Sequence, residues 1–450
     1  MEEKEELASL KLYNSMTKKK EELRPIDGQH VKMYTCGPTV YHFVHIGNFR
    51  TFLFEDLLRR VIKFFGFKIT HVMNLTDVDD KTIKGAIASQ LSLDAFTRPY
   101  KQAFFQDLEV LNIEKAEHYP AATCYIAEMV KMIEVLLEKQ IAYKGGDGSI
   151  YFSIQKFPSY GCLSHLKMEE LRQGASNRNV SDEYEKESAS DFVLWKSYDA
   201  KRDGEIFWES SLGKGRPGWH LECSCMAISL LGETIDIHVG GVDNLFPHHE
   251  NEIAQSEAYS GKPFAKIWMH AEHLIVEGKK MSKSLNNFYT LRDLLEKGFT
   301  GAQIRYLLLQ THYKTQLNFT FEGLKAAQSS LQRLNAFVDR LKEIDQESST
   351  GQKALLFIEK FLHQFTSALA DDLNISVALA ALFDFVREVN ALCDAKQINE
   401  AEAKAVLAAL KKIDGVLAIF DFKEDLQQIP EVVKEAFAKR RQAREQKQWQ

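Results

Sequence analysis

Cysteine is scarce in this chain. Six residues in 450 are too few to staple a fold, so they read as thiols or metal ligands rather than a disulfide framework. Long apolar runs are missing too, and the polar opening Met1-Glu2-Glu3-Lys4-Glu5-Glu6 is unlike a secretory signal. Both absences predict a cytosolic protein with no membrane partner. There is no excess of positive charge. With a formal net charge of -6, any nucleic-acid contact must come from local basic patches, and one stands at the end: Lys434, Lys439, Arg440, Arg441, Arg444 and Lys447. No Walker-type G-x-x-x-x-G-K-[S/T] occurs, which counts against a P-loop ATPase. A G-x-G-x-x-G does occur at Gly213, Gly215 and Gly218. Polar Glu209, Ser210 and Ser211 precede it where a strand should stand, and Pro217 sits inside it, so it reads as a loop and not a dinucleotide site. Repeats and low-complexity segments are absent as well.

What is present is ordinary globular composition, 45% hydrophobic and 27% charged, at a length that predicts two to four domains. Val31 to Thr35 reads as a strand, Thr51 to Phe65 as a helix stopped by Gly66, and Ile69 to Met73 as a second strand. That βαβ grammar predicts an α/β fold with a doubly wound, Rossmann-like parallel sheet. A polar stretch from about residue 120 reads as an insertion. The grammar resumes with a strand over Ile235 to Val239, a helix from about His248 to Ser260 ended by Gly261, and a strand over Ile267 to His270. From Ala302 onward Leu, Ala and Phe recur at spacings of three and four, predicting an all-α C-terminal region. The division is 1–119 and 216–301 for the two halves of the α/β domain, 120–215 for the insertion, 302–420 for the helical region and 421–450 for a basic tail.

Ligands of open α/β sheets bind beyond the carboxyl ends of the strands, and three chemical clusters fall there. Cys36 to Asn48 follows the first strand, Gly240-Gly241-Val242-Asp243 the middle one, and Lys280-Met281-Ser282-Lys283-Ser284 the strand ending near His270. Lys280 and Lys283, flanked by small hydroxyls and preceded by Gly278, have the composition of a mobile anion-binding loop. Gly240 and Gly241 would admit close approach of an adenine, with Asp243 accepting from ribose, although Gly-Gly-x-Asp is also simply a turn. His248 and Glu252 stand four apart at a helix start and face one way. Cys36 and Cys223 lie on segments that the sheet can bring to them, making the four candidates for one zinc site. Cys225 is the rival for Cys223, and Cys124, Cys162 and Cys393 have no assignment.

The pair His45-Ile46-Gly47-Asn48 and Lys280-Met281-Ser282-Lys283-Ser284 resembles the two-part ATP signature of class I aminoacyl-tRNA synthetases. Tyr34-Thr35-Cys36-Gly37-Pro38-Thr39-Val40-Tyr41, Gly218-Trp219-His220-Leu221-Glu222-Cys223 and Phe246-Pro247-His248-His249-Glu250-Asn251-Glu252 narrow the likeness to cysteinyl-tRNA synthetases, from about Leu12 to the C-terminus. The resemblance implies that L-cysteine and ATP, with Mg2+, give cysteinyl adenylate, and that tRNA(Cys) then receives the cysteinyl group. It implies catalytic roles for His45, Lys280 and Lys283, and ATP contacts at Pro38, His45, Asn48, His238, Gly240, Gly241, Asp243 and Lys283. It implies one zinc per chain on Cys36, Cys223, His248 and Glu252, and cysteine contacts at Cys36, Gly37, Thr76 and Trp219, the last being either pocket floor or core. Zinc would separate a thiol from a hydroxyl where a size pocket separates such pairs by only about 10².

Asn48 departs from the family's usual second histidine. It can still donate a hydrogen bond but cannot become cationic. The basic segment from Lys434 to Lys447 is expected to contact tRNA. Relatives continue past it into a small anticodon-reading fold, so a shortened C-terminus with loose tRNA binding is a further expectation, as is a monomer. Two rivals remain: the related ligase that joins cysteine to an amino-sugar inositol, and a noncatalytic zinc- and RNA-binding paralogue.

Overall fold

The computed structural model describes residues 9–166, 191–345 and 353–422. At its centre four parallel strands lie in the order Ala265–Ala271, Ile235–Gly241, His30–Thr35, Lys68–Met73. Tyr34 pairs with His238 on one side and with Val72 on the other. Every residue of Ile235–Gly241 is buried, as the middle of a sheet covered on both faces requires. The helix Ile46–Phe64 crosses over between the first two strands, and Trp219–Leu231 and Glu250–Ser260 are the other helices that bear on the site.

That first helix begins five residues before Thr51. His45 caps it, its Nδ1 accepting from the Asn48 amide at 3.2 Å, so a histidine stands in the place usually held by Ser or Asp. The second helix that the sequence started at His248 starts at Glu250, after a wide turn over Leu245–His249.

The stretch after the second strand carries its own antiparallel sheet: Ala142–Lys144, Ile150–Phe152, Phe192–Ser197, Gly215–Pro217. The G-x-G-x-x-G string belongs to its last strand. A Cβ on Gly215 would lie 2.3 Å from the Lys196 carbonyl oxygen, so the glycine serves strand contact and no phosphate cradle forms. Arg216 meets buried Asp203 within the insertion and reaches out of it to Asp80, at the start of the Asp80–Ser89 helix.

Beyond the catalytic sheet, helices Phe321–Lys342, Lys353–Ala370, Ile375–Asp394 and Glu400–Leu417 pack together, with Phe361 stacked on Phe385 at 4.4 Å. The run from Ala302 is interrupted once, by the strand Leu317–Phe319, which pairs with Leu274–Val276. Three residues are too few to show a period of two. Fully buried Arg305 joins the halves: its Nη2 meets Asp56 of the first helix at 2.6 Å and its Nε donates to the Leu417 carbonyl at 2.7 Å. No helix among the described residues is long and apolar enough to cross a membrane.

Candidate active site

Two neighbouring constellations sit at the carboxyl end of the sheet. The first is local and open. His45 spends Nδ1 on the Asn48 amide, which leaves Nε2 as the proton-bearing nitrogen, at a helix N-terminus whose dipole favours anions. Gly47 lies against the lysine loop: a Cβ there would come within 3.1 Å of the Met281 methyl group. The backbone ties the same parts together, Ile46 N–H donating to the Tyr289 carbonyl at 2.9 Å. The two signature motifs, more than 200 residues apart in the chain, are therefore in contact.

The lysine loop is held at its base rather than along its length. Glu277 and Gly278 both have positive φ, the requirement of a two-residue hairpin between Leu274–Val276 and Lys279–Lys280. Asn287 then pins the far end, accepting from the Ser282 amide at 2.8 Å and donating to the Lys280 carbonyl at 3.1 Å. Lys280 is exposed. Asn287 was not singled out in the sequence, since one asparagine beside Asn286 carries no signal.

The second constellation is buried. Ligand atoms of Cys36, Cys223, His248 and Glu252 all lie within 4.8 Å of one another. Cys36 follows the first strand, Cys223 sits on Trp219–Leu231, and the His248 Nε2 is 3.0 Å from the Glu252 Oε1. Burial and the neighbouring Cys223 push the Cys36 thiol well up. For Cys223 burial acts in the same direction, yet hydrogen bonding with Cys36 and the charge of His248 outweigh it and hold the thiol low. Burial opposes the charge on Glu252 too, but His238 and His248 bring it down to about 2. By itself the pocket thus supports one thiolate and not two, and a divalent cation is the charge that would ionise both sulfurs. Two thiols, an imidazole and a carboxylate are a donor set that suits zinc.

A second overlapping set, Cys36, His238, His249 and Glu252, meets the same distance. Its histidines instead contact members of the first set from outside. His238 Nε2 bonds the Glu252 Oε2 at 2.8 Å, the orienting contact that a metal-bound carboxylate needs. His249 contacts Cys36 Sγ at 3.3 Å through Nε2 and His270 at 2.9 Å through Nδ1, and His270 in turn meets Ser15 Oγ at 2.7 Å. Burial, reinforced by the other histidines, keeps His249 neutral. A proton order running from the Ser15 hydroxyl through His270 to His249 would end in an N–H aimed at the Cys36 sulfur.

His238 is fully buried, and its Nε2 faces the Glu252 side of the candidate metal site. The His249 ring packs against Gly240, 2.8 Å from where a Cβ would stand. Gly241 and exposed Asp243 remain at the open strand end. Pro38 lies in the turn after the first strand, its carbonyl accepting from the Thr76 amide at 3.1 Å.

Trp219 stacks on His248, ring centroids 4.2 Å apart, and so forms a wall of the buried pocket. Gly37 and Thr76 are brought together by a residue the sequence reading passed over. Asn74 accepts from the Gly37 amide at 2.8 Å and donates to the Thr76 hydroxyl at 3.0 Å. Cys225, the rival ligand, is a core thiol whose pKa burial pushes up, and all six cysteines are unpaired. The basic residues Lys434, Lys439, Arg440, Arg441, Arg444 and Lys447 lie outside the described residues. One signal for the missed imidazoles was available: five of the chain's histidines, His220, His238, His248, His249 and His270, crowd into about fifty residues.

Comparison with known proteins agrees with this geometry. Residues 22–329 match the tRNA synthetases class I (C) catalytic domain and residues 364–421 the DALR domain. The chain is 66% identical over 440 residues to the cysteine--tRNA ligase of Protochlamydia amoebophila, covering 98% of this chain and 92% of that protein. It is 56% identical over 442 residues to the one from Chlamydia felis, with the same coverages. The solved methionyl-tRNA synthetase of Mycobacterium tuberculosis superposes with a TM-score of 0.61 over 86% of this chain and 89% of that one, at 12% identity, a likeness of fold alone. With contacting signature motifs beside a Cys-Cys-His-Glu pocket and these relatives along nearly its full length, the chain belongs to the cysteine--tRNA ligases, in the class I aminoacyl-tRNA synthetase family.

Proposed function

We propose that the chain activates L-cysteine with ATP and passes the cysteinyl group to the 3′ end of tRNA(Cys). The observation that carries this reading is the packing of Met281 against Gly47, which brings the His45 and Lys280 segments, the two candidate anion-binding elements, side by side. In activation the cysteine carboxylate attacks the α-phosphate and pyrophosphate leaves, so negative charge grows on phosphate oxygens. His45 would donate to them from Nε2, with Lys280 and Lys283 gripping the pyrophosphate end and Asn48 a further donor. Gly241 and Asp243 would face the nucleoside, Pro38 in the turn after the first strand would border it, and Mg2+ would accompany ATP.

Cys36, Cys223, His248 and Glu252 would hold one zinc, which favours a substrate thiolate over the hydroxyl of serine. Around it Trp219 closes the pocket beside His248, and Thr76 and the Gly37 backbone, linked through Asn74, are available to the substrate's polar groups. The division into a split catalytic domain (1–119, 216–301), an insertion (120–215), a helical region (302–420) and a basic tail (421–450) that touches tRNA belongs to this reading. So do a cytosolic location and a monomer. Cysteine-dependent ATP–pyrophosphate exchange, followed by charging of tRNA(Cys), tests it. Exchange without charging would favour the amino-sugar ligase, and no exchange would favour the noncatalytic paralogue.

A further inference from the structure

A cavity of about 520 Å3 opens between the segment leading into the first helix and the segment leaving the lysine loop. The rings of His42, Phe43 and Phe288 wall it, and Asn286, Asp293 and Glu296 supply polar atoms. That volume and that mixture suit a nucleoside-sized ligand. Phe43 is 39% exposed, and the Arg292 guanidinium lies 5.0 Å from its ring centroid, fixing the ring's orientation. Of the charged groups in the lining, Arg292 is paired with Asp107 at 3.2 Å, whereas the carboxylates Asp293 and Glu296 are acceptors of the kind an exocyclic amino group needs. Asp293 is already engaged, its Oδ2 taking hydrogen bonds from the Thr290 amide and hydroxyl at 2.7 Å each. Exposed Glu296 is the acceptor left for a ligand.

The cavity shares a wall with the phosphate-facing histidine. Phe288 meets His42 edge-on at 6.2 Å and His45 edge-on at 5.2 Å. Gly241 and Asp243, proposed to face the nucleoside of ATP, do not line it. We propose that this cavity seats a base from the single-stranded 3′ end of tRNA, stacked on Phe43 with its exocyclic amino group on Glu296. The inference rests on the tRNA-charging reading above. The 3′ ends of tRNAs read C-C-A, three unpaired bases that all carry such an amino group and stack readily on aromatic rings. The terminal ribose must reach the carboxyl group activated beside His45, and one ring, Phe288, separates that point from the cavity.

The test uses Phe43→Ala and Phe43→Trp, chosen because an exposed ring can be changed without unfolding the protein. Phe43→Ala should raise the KM for tRNA about tenfold, the size of one lost stacking contact, while ATP–pyrophosphate exchange stays within about twofold. Phe43→Trp should restore the KM. In direct binding, removing the last two nucleotides of tRNA should weaken the wild type and leave Phe43→Ala little changed. Equal weakening of both proteins by that truncation would overturn the proposal. So would a fall in exchange at unchanged tRNA KM, which would give the cavity to the adenine of ATP. A wild type with neither exchange nor charging would instead defeat the underlying reading, and the binding arm, which needs no turnover, tells the two failures apart.

Discussion

The two halves of the candidate site are built on opposite plans. The Cys36, Cys223, His248, Glu252 pocket is largely buried, assembled from three distant segments, and braced by further buried imidazoles, whereas the His45 and Lys280 elements are local and open, each held by contacts within a few residues. The difference fits the two tasks proposed for them. Telling a thiol from a hydroxyl needs donors fixed before the substrate arrives, since a loose site would admit water or serine. Following charge from the α-phosphate to departing pyrophosphate needs cations that can move with it. Substitutions in the buried half should therefore abolish recognition, and those in the open half should slow the chemistry.

The largest expected effect is loss of a buried ligand. Cys223→Ser should lower cysteine activation by about 10³ or more, the scale of several kcal/mol of lost metal stabilisation, with ATP binding nearly unchanged. Purified wild type should carry about one zinc per chain by elemental analysis. A zinc-free wild type, or a fully active serine variant, would erase the contrast between the halves.

Lys283→Ala should cost roughly 10² to 10³ in the rate of adenylate formation, the amount expected for one preplaced charged donor, with cysteine affinity retained. Single-turnover measurements separate the two quantities. A large loss of cysteine affinity instead would mean that the open half also selects.

Below these comes the bracing. His238→Asn should weaken zinc binding by about 10- to 100-fold, read by competition with a chelator, because Glu252 would lose the contact that orients its second oxygen. Unchanged zinc affinity would show that the buried half needs no more support than the open one.

Much of the fold was legible because its signals are local. Val31 to Thr35 and Ile69 to Met73 are apolar runs on either side of a helix, and the parallel pair was found one residue longer at the start of each. The helix start was misplaced because His45 acts as its cap, a role that composition does not suggest. The open half could be read from two short strings. The quartet in the buried half could not be read that way, and naming it depended on resemblance, because nothing in the spacing of Cys36 and Cys223 reveals that a sheet will bring them together. Asn74, His249 and His270 stayed hidden for a related reason: each acts through another side chain, and such contacts exist only once the strands are in register.

The smallest expected effect on catalysis concerns the helix that both halves share. His45 caps its N-terminus, and Glu55 lies two to three turns further on, fully buried near Cys36. Burial pushes its pKa well above the usual carboxylate range, with the Thr35 hydroxyl only a weak counterweight. The folded protein therefore keeps Glu55 protonated at pH values where the unfolded chain has released that proton. In that case stability is complete below the unfolded pKa and falls as pH rises toward the folded one, by about 1.4 kcal/mol per pH unit for this group. Glu55→Gln, which cannot ionise, should match wild type near pH 4 and become progressively more stable than it at higher pH, while exchange activity stays within about threefold. Urea unfolding of both proteins at several pH values measures this. A stability difference that did not change with pH would show that Glu55 is ionised in the folded state and that a compensating cation sits beside it, making the floor under Cys36 part of the charged site.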